Sequence, residues 1–314
     1  MNIYTHPIFY RHDTGVGHVE VAARIDAALR GVERAGLGEA VVYEPAVHEA
    51  TSRIIAKTHD PEYEEELAEA CRMGMRFFHS LDNPISSQSF AAARAAVGTS
   101  LTAAAEMLAK NERAFVIARP PGHHAERVEA MGFCFFNTIA CTAEWLREQP
   151  GIERVFIFDF DVHHGNGTQH LFEERSDVFY ASMHRFPFYP GTGAEDEIGA
   201  GDGRGFTLNL PFDEGAGDAI YLDAVESQVL RAIEEYRPNA ILLSAGFDAH
   251  RRDPLGGMRV SEEAYGEITR RVVEAAERFC NGRVLSLLEG GYDMEGLAAS
   301  VAEHVVALSE RHES

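Results

Sequence analysis

The chain has 314 residues, 45% of them hydrophobic, and its 28 lysines and arginines face 50 aspartates and glutamates for a formal net charge of −22 at pH 7. That balance argues against nonspecific binding to nucleic acid or to an anionic membrane, and no apolar run approaches the length of a membrane span. Its four cysteines, Cys71, Cys134, Cys141 and Cys280, form no Cys-x-x-Cys pair, which argues against a disulfide framework or a structural zinc site.

The first residues contain no basic segment followed by an apolar one, so the expectation is a cytoplasmic protein without a secretory signal. An extended start leads to a turn rich in glycine and histidine at 15–18. Helical apolar spacing then runs from residue 20 to about 35, with Gly36 as its stop. Asp60 caps a helix opened by Pro61 and ended by Gly74. Asp82-Asn83-Pro84 reads as a turn before an alanine-rich helix over 89–110.

From residue 114 onward, strand and helix alternate. Strands are expected at 115–118, 155–158, 178–183, 206–210, 240–244 and 284–288. Helices are expected at 137–148, 218–236 and 262–279, the last capped by Ser261, with one more closing the chain. Thr168 is expected to cap a short helix over about 169–174. This order predicts one α/β domain over residues 1–314, with a mostly parallel sheet and helices on both faces.

Open α/β sheets bind ligands beyond the carboxyl ends of their strands. Four of the expected strands run into glycine-containing turns that carry His123 and His124, Asp161 and His163, Asp248 and His250, and Tyr292. Four such turns on one edge point to a single site. In the stretch 155–168, alternation along extended backbone puts Asp159, Asp161 and His163 on one face, with Phe160, Val162 and His164 on the other. Burying unpaired carboxylates there would cost several kcal/mol each, and a cation offsets that cost.

Asp161 and His163 supply two ligands and Asp248 a third, which leaves a position open for water, the arrangement of a catalytic zinc. Amide hydrolysis also needs a base and an acid, work that suits His123 and His124; the competing reading is a histidine pair that only satisfies local hydrogen bonds. Asp159 could orient one of these rings, and Tyr292, after Gly290 and Gly291, could donate to a developing oxyanion. Phe133 and Tyr189, in glycine-rich turns, could wall a narrow apolar channel. His164 reads as a core residue, and His6, His12, His48, His59, His79, His170, His304 and His312 carry no expected role.

Taken together, Arg-Pro-Pro-Gly-His-His-Ala-Glu (119–126), Gly-Phe-Cys-Phe-Phe-Asn (132–137), Asp-Phe-Asp-Val-His-His-Gly-Asn-Gly-Thr (159–168), Ala-Gly-Phe-Asp-Ala-His-Arg-Arg-Asp-Pro-Leu-Gly-Gly (245–257) and Glu-Gly-Gly-Tyr (289–292) resemble the zinc-dependent histone deacetylase family. That family includes acetylpolyamine amidohydrolases, and the form here looks closest to the class II branch and its bacterial amidohydrolases. The resemblance implies the three-layer arginase/deacetylase fold, with a mostly parallel central sheet of about eight strands.

It also implies roles. Asp161, His163 and Asp248 would bind one zinc ion per chain; His124 would be the general base, with His123 supporting the leaving group, Asp159 holding His123 and Asn166 beside His124. Tyr292 would polarise the acyl carbonyl, and Asp82, Gly132, Phe133, Tyr189, Leu255 and Gly290 would meet the substrate. A structural potassium ion would use Asp159, Ser182 and the backbone carbonyls of Asp161, His163 and Met183.

Two departures stand out. The family's N-terminal His-Pro-Glu-x-Pro-x-Arg pattern is present as His18-Val-Glu-Val-Ala-Ala-Arg24, without its prolines, and Leu255 stands where polyamine-specialised eukaryotic relatives carry glutamate. The expected activity is therefore removal of acyl groups, acetyl foremost, from acylated lysine in peptide or protein or from acetylpolyamine, with no nucleic-acid or membrane partner and a homo-oligomer allowed. The alternatives are an arginase-type ureohydrolase with two manganese ions and a catalytically silent acyl-lysine binding scaffold.

Overall fold

The structure, a computed structural model, describes residues 1–37 and 42–310, so His312 lies outside the described residues. Its elements begin with β1 (Asn2–Tyr4), α1 (Ala23–Arg34), β2 (Val42–Tyr43), α2 (Thr51–Thr58), α3 (Pro61–Arg72), β3 (Phe77–Phe78), β4 (Ser80–Pro84) and α4 (Ser89–Lys110). They continue with β5 (Ala114–Val116), α5 (Thr138–Arg147), β6 (Val155–Asp159), α6 (Asn166–Phe172), β7 (Val178–Arg185) and β8 (Thr207–Phe212). The last are α7 (Asp218–Ala224), α8 (Leu230–Tyr236), β9 (Ala240–Ala245), α9 (Glu262–Cys280), β10 (Val284–Leu288) and α10 (Met294–Ser309). A π-helical stretch, Val225–Val229, joins α7 to α8, so the long helix expected over 218–236 is continuous with one change of pitch.

Eight strands form one sheet in the order β2-β1-β5-β10-β9-β6-β7-β8, and every neighbouring pair is parallel. Strands β6, β9 and β10 are buried along their whole length. Helices cover both faces of the sheet, so these strands need no polar side and read as apolar runs. One group of packed helices is α1, α9 and α10, and another is α2, α4 and α5.

The topology positions the site. After β5 the chain crosses over to start β6 with a gap left between them, and β9 and β10 return later to fill it. The turns that leave β5, β6, β9 and β10 are thus side by side, at the point where strand order reverses.

Local differences from the sequence expectations have identifiable causes. Asp82-Asn83-Pro84 is not a turn but the end of β4, paired antiparallel with β3. Asn83 is buried there, and its amide donates to Phe78 O at 3.2 Å and Ala130 O at 2.6 Å, bonds that a surface turn would leave to water. Helix α1 starts at Ala23 rather than at residue 20, because Glu20 is drawn into a buried ion pair. Thr168 is not an N-cap: α6 starts at Asn166 with Gly165 before it, and the Thr168 hydroxyl donates to His123 O at 3.4 Å.

Candidate active site

Strand β6 ends at Asp159 and the chain leaves the pleat, so the alternation expected to bring Asp159, Asp161 and His163 onto one face does not continue. The three residues expected to bind the metal, Asp161, His163 and Asp248, nevertheless converge, each with a ligand atom within 4.8 Å of the others. His163 Nδ1 lies 3.0 Å from Asp161 Oδ1 and 3.2 Å from Asp248 Oδ2, but only the first contact has hydrogen-bond geometry. Asp161 Oδ2 accepts from Gly290 N at 2.8 Å, and Asp248 Oδ1 accepts from Val162 N at 2.8 Å.

Asp248 Oδ2 is left buried with no hydrogen-bond partner. An orphaned carboxylate oxygen costs several kcal/mol unless something cationic meets it. Burial, and then repulsion from Asp161, push the Asp248 carboxyl up to about 7. Burial opposes charging His163, yet its bond to Asp161 and the nearby Asp248 carboxylate outweigh that and raise the ring to about 9. The cluster therefore calls for positive charge. Two carboxylate oxygens and one imidazole nitrogen, beside an open pocket, fit a catalytic zinc ion. Gly290 allows this approach, since a Cβ at that position would lie 2.1 Å from Asp248 Oδ2 and 2.5 Å from Asp161 Oδ2.

The two histidines differ in their partners. His123 Nδ1 donates to Asp159 Oδ2 at 3.0 Å, an oxygen that also accepts from the Tyr180 hydroxyl at 3.2 Å. Burial disfavours charge on His123, but Asp159 and Asp161 outweigh it and raise the ring to about 10. His124 Nδ1 faces the neutral Asn166 Oδ1 at 2.8 Å. Burial, together with His123 and His163, holds its pKa well below the ordinary value. A proton donor and a proton acceptor thus stand side by side, with ring centroids 4.0 Å apart.

Tyr292 follows Gly290 and Gly291 at the end of β10, with its backbone N–H on Asp253 Oδ2 at 2.7 Å. Burial keeps the phenol protonated, so it is a donor at any physiological pH. Asp82, Pro121, His123, His124, Gly132, Phe133, His163, Tyr189, Leu255, Gly290 and Tyr292 line one cavity of about 150 Å³. Every residue expected to meet the substrate is on that wall. Tyr189 stands edge-on to His124 and Phe133 edge-on to Tyr292, at centroid distances of 5.2 and 6.0 Å.

Gly132 and Phe133 both adopt the left-handed backbone region, with φ of 56° and 69°. Asn83 Oδ1 secures this turn by accepting from Phe133 N at 3.0 Å. A Cβ on Gly132 would lie 2.2 Å from the His124 ring. Of the residues expected to hold potassium, Asp159 and Ser182 are register partners across β6 and β7, and Ser182 Oγ is 2.9 Å from His184 Nδ1. His164 is away from the cluster, bonded to Thr192 Oγ1 at 2.8 Å and Gln169 Oε1 at 2.9 Å.

Several supporting residues escaped the sequence reading. Glu289 Oε2 accepts from the backbone N–H of Gly122 at 2.7 Å and of His123 at 3.3 Å, which ties the end of β10 to the histidine pair. Glu20 binds Arg24 at 3.1 Å and Arg119 at 2.7 Å, all three fully buried, without the prolines of the related pattern. The signal for Glu289 lay inside Glu-Gly-Gly-Tyr, and that for Arg24 in its spacing from His18. Asn83 had no such signal.

The histone deacetylase domain family matches residues 18–308. An uncharacterized protein of Synechocystis is 40% identical over 298 residues, which is 94% of this chain and 95% of that protein. A probable deacetylase of Archaeoglobus fulgidus is 35% identical over 94% of this chain and 82% of its own length. The histone deacetylase-like amidohydrolase of Pseudomonas aeruginosa is 42% identical over 67% of this chain and 56% of its own length. Among solved structures, the HDA15 HD domain superimposes with a TM-score of 0.90 at 32% identity, covering 99% of this chain and 91% of that one.

Proposed function

We propose that this chain, which belongs to the histone deacetylase family, is a zinc-dependent amidohydrolase that removes acyl groups, acetyl foremost, from amines on a linear aliphatic stem. The observation that carries this reading is the convergence of Asp161, His163 and Asp248, whose buried Oδ2 accepts no hydrogen bond, beside a pocket that also presents His123, His124 and Tyr292. The printed descriptions of the Archaeoglobus and Pseudomonas relatives, a probable deacetylase and a deacetylase-like amidohydrolase, point the same way.

Asp161, His163 and Asp248 would hold the ion. Zinc, when bound, supplies Lewis-acid polarisation of the acyl carbonyl and makes a neighbouring water more acidic. The chain's residues do the rest. Phe133 and Tyr189 confine a narrow stem and exclude bulk water. With Nδ1 donated to Asn166, His124 has Nε2 free to take the proton of the attacking water. His123, held charged by Asp159, stabilises the developing negative charge and can give a proton to the departing amine. The Tyr292 hydroxyl donates to the carbonyl oxygen as it becomes an oxyanion.

Within the same reading, Asp159, Ser182 and the carbonyls of Asp161, His163 and Met183 would hold a structural potassium ion. A cytoplasmic location agrees with four buried, free cysteines. Among the described residues, no helix is long and apolar enough to cross a membrane.

The test is turnover by zinc-loaded protein of a matched panel: an acetyl-lysine peptide, an acetylpolyamine and their trifluoroacetyl counterparts, with a hydroxamate control. Hydroxamate-sensitive turnover that favours the peptide would make the protein a lysine deacylase, and the reverse would place it in polyamine metabolism. No turnover of any member with zinc bound would remove the hydrolase reading.

A further inference from the structure

A carboxamide has an acceptor at one end and two donors at the other, so the orientation of Asn166 decides which nitrogen of His124 carries the proton. Oδ1 faces His124 Nδ1 at 2.8 Å. Three acceptors surround Nδ2: the Glu126 carboxylate oxygen Oε1, Met131 Sδ at 3.1 Å and His124 O at 3.4 Å. A flipped amide would point its oxygen at that carboxylate and force the His124 proton onto Nε2. His124 could then no longer accept a proton there.

Glu126 is itself held from two sides. His59 Nε2 accepts from Asn137 N at 2.8 Å, which leaves His59 Nδ1 to donate to Glu126 O at 2.9 Å and fixes the backbone. His170, one turn after Asn166 on the same face of α6, donates from Nδ1 to Glu126 Oε1 at 2.7 Å. Its bond to Glu126 raises the His170 pKa, which favours the donor form.

We propose that Glu126 is a positioning residue for the reaction: by locking the Asn166 amide, it keeps His124 in the Nδ1-protonated tautomer with Nε2 as the free base. The inference rests on the amidohydrolase reading. It accounts for the different partners of the histidine pair, since His123 meets a carboxylate directly and stays charged, whereas His124 meets a neutral amide that Glu126 orients from one residue further out. The carboxylate sets the tautomer without forming an ion pair that would charge the base.

The experiment compares zinc-loaded wild type, Glu126→Ala and Glu126→Gln by steady-state kinetics and by nitrogen-15 spectroscopy of labelled histidine. Second-layer partners of this kind contribute about 10–100-fold, so Glu126→Ala should lower kcat by about tenfold or more. Its KM, bound zinc and unfolding temperature should stay unchanged. Glu126→Gln, which retains an acceptor oxygen, should restore most of the loss. The His124 signal should show Nδ1–H in wild type and a mixture of tautomers in Glu126→Ala. In an Asn166→Asp background there is no amide to orient, so adding Glu126→Ala should lower turnover no further.

Should the alanine variant not fold, Glu126→Met preserves volume and removes the oxygens. Unchanged kcat, an unchanged tautomer, or a loss of zinc and thermal stability in step with kcat would overturn the assignment. If wild type turns over nothing on the panel, the hydrolase reading fails on its own, and the tautomer comparison still decides the role of Glu126.

Discussion

The guanidinium carbon of Arg24 lies 4.9 Å from the ring centroid of Tyr292. The same side chain donates from Nε to Gly291 O at 2.7 Å, reaches Glu289 O with a second nitrogen, and pairs with Glu20 through a third. A residue of the first helix thereby sets the turn that presents the last pocket residue in the chain. Replacing Arg24 with alanine removes one of the two arginines that neutralise the buried Glu20 and leaves two carbonyls unpaired. Breaking a buried pair costs about 3–5 kcal/mol. Urea unfolding of Arg24→Ala should show a loss in that range, and Arg24→Lys, with charge but no fork, should recover only part of it.

Tyr292→Phe removes one hydroxyl and no packing. If that hydroxyl meets the oxyanion, kcat should fall by roughly 10²–10³-fold while KM and zinc content hold. Parallel kinetics and metal analysis check this, and full activity would take Tyr292 out of the mechanism.

Gly290→Ala places a methyl group 2.1 Å from Asp248 Oδ2. The carboxylates can move apart only by losing the geometry that the ion requires. Zinc affinity, measured by competition with a chelating dye, should drop by at least about tenfold, with activity lost in proportion. Wild-type affinity would mean that the ion does not sit between Asp161 and Asp248.

Three buried histidines, His59, His184 and His304, make the fold less stable in acid. Burial lowers His304 to about 3 and His59 and His184 to about 4, against an ordinary value of 6.5. Above pH 6.5 the folded and unfolded forms are both neutral, and the stability is fully present. Below it the unfolded chain binds protons that the folded chain refuses, so stability falls until the folded values near 3–4 are passed. Each ring contributes a slope of up to about 1.4 kcal/mol per pH unit. Each of these rings therefore makes the fold less stable between about pH 7 and pH 5, and His304→Gln, facing Thr269 and Ser286, should keep more of its stability than wild type over that range by one histidine's share, read as the difference between the two urea midpoints.

Much of this protein was legible in its linear order. The apolar runs at β6, β9 and β10, the caps at Asp60 and Ser261 and the left-handed stop at Gly36 are local signals, set by the burial, capping and backbone preferences of neighbouring residues. The strand-end turns likewise marked one edge of a parallel sheet, because such sheets present their loops at the carboxyl ends of their strands. The sequence also offered Asp161, His163 and Asp248 as one ligand set, since their turns follow strands of the same sheet edge, and these three side chains do come together. What failed was the expectation that Asp159 shares their face, because alternation holds only while the backbone is pleated and the chain leaves the pleat at that residue. Asn83, Glu126 and Arg24 act through side-chain bonds to distant segments; their partners are set by the packing of strands, helices and loops, and only the tertiary structure brought them within reach.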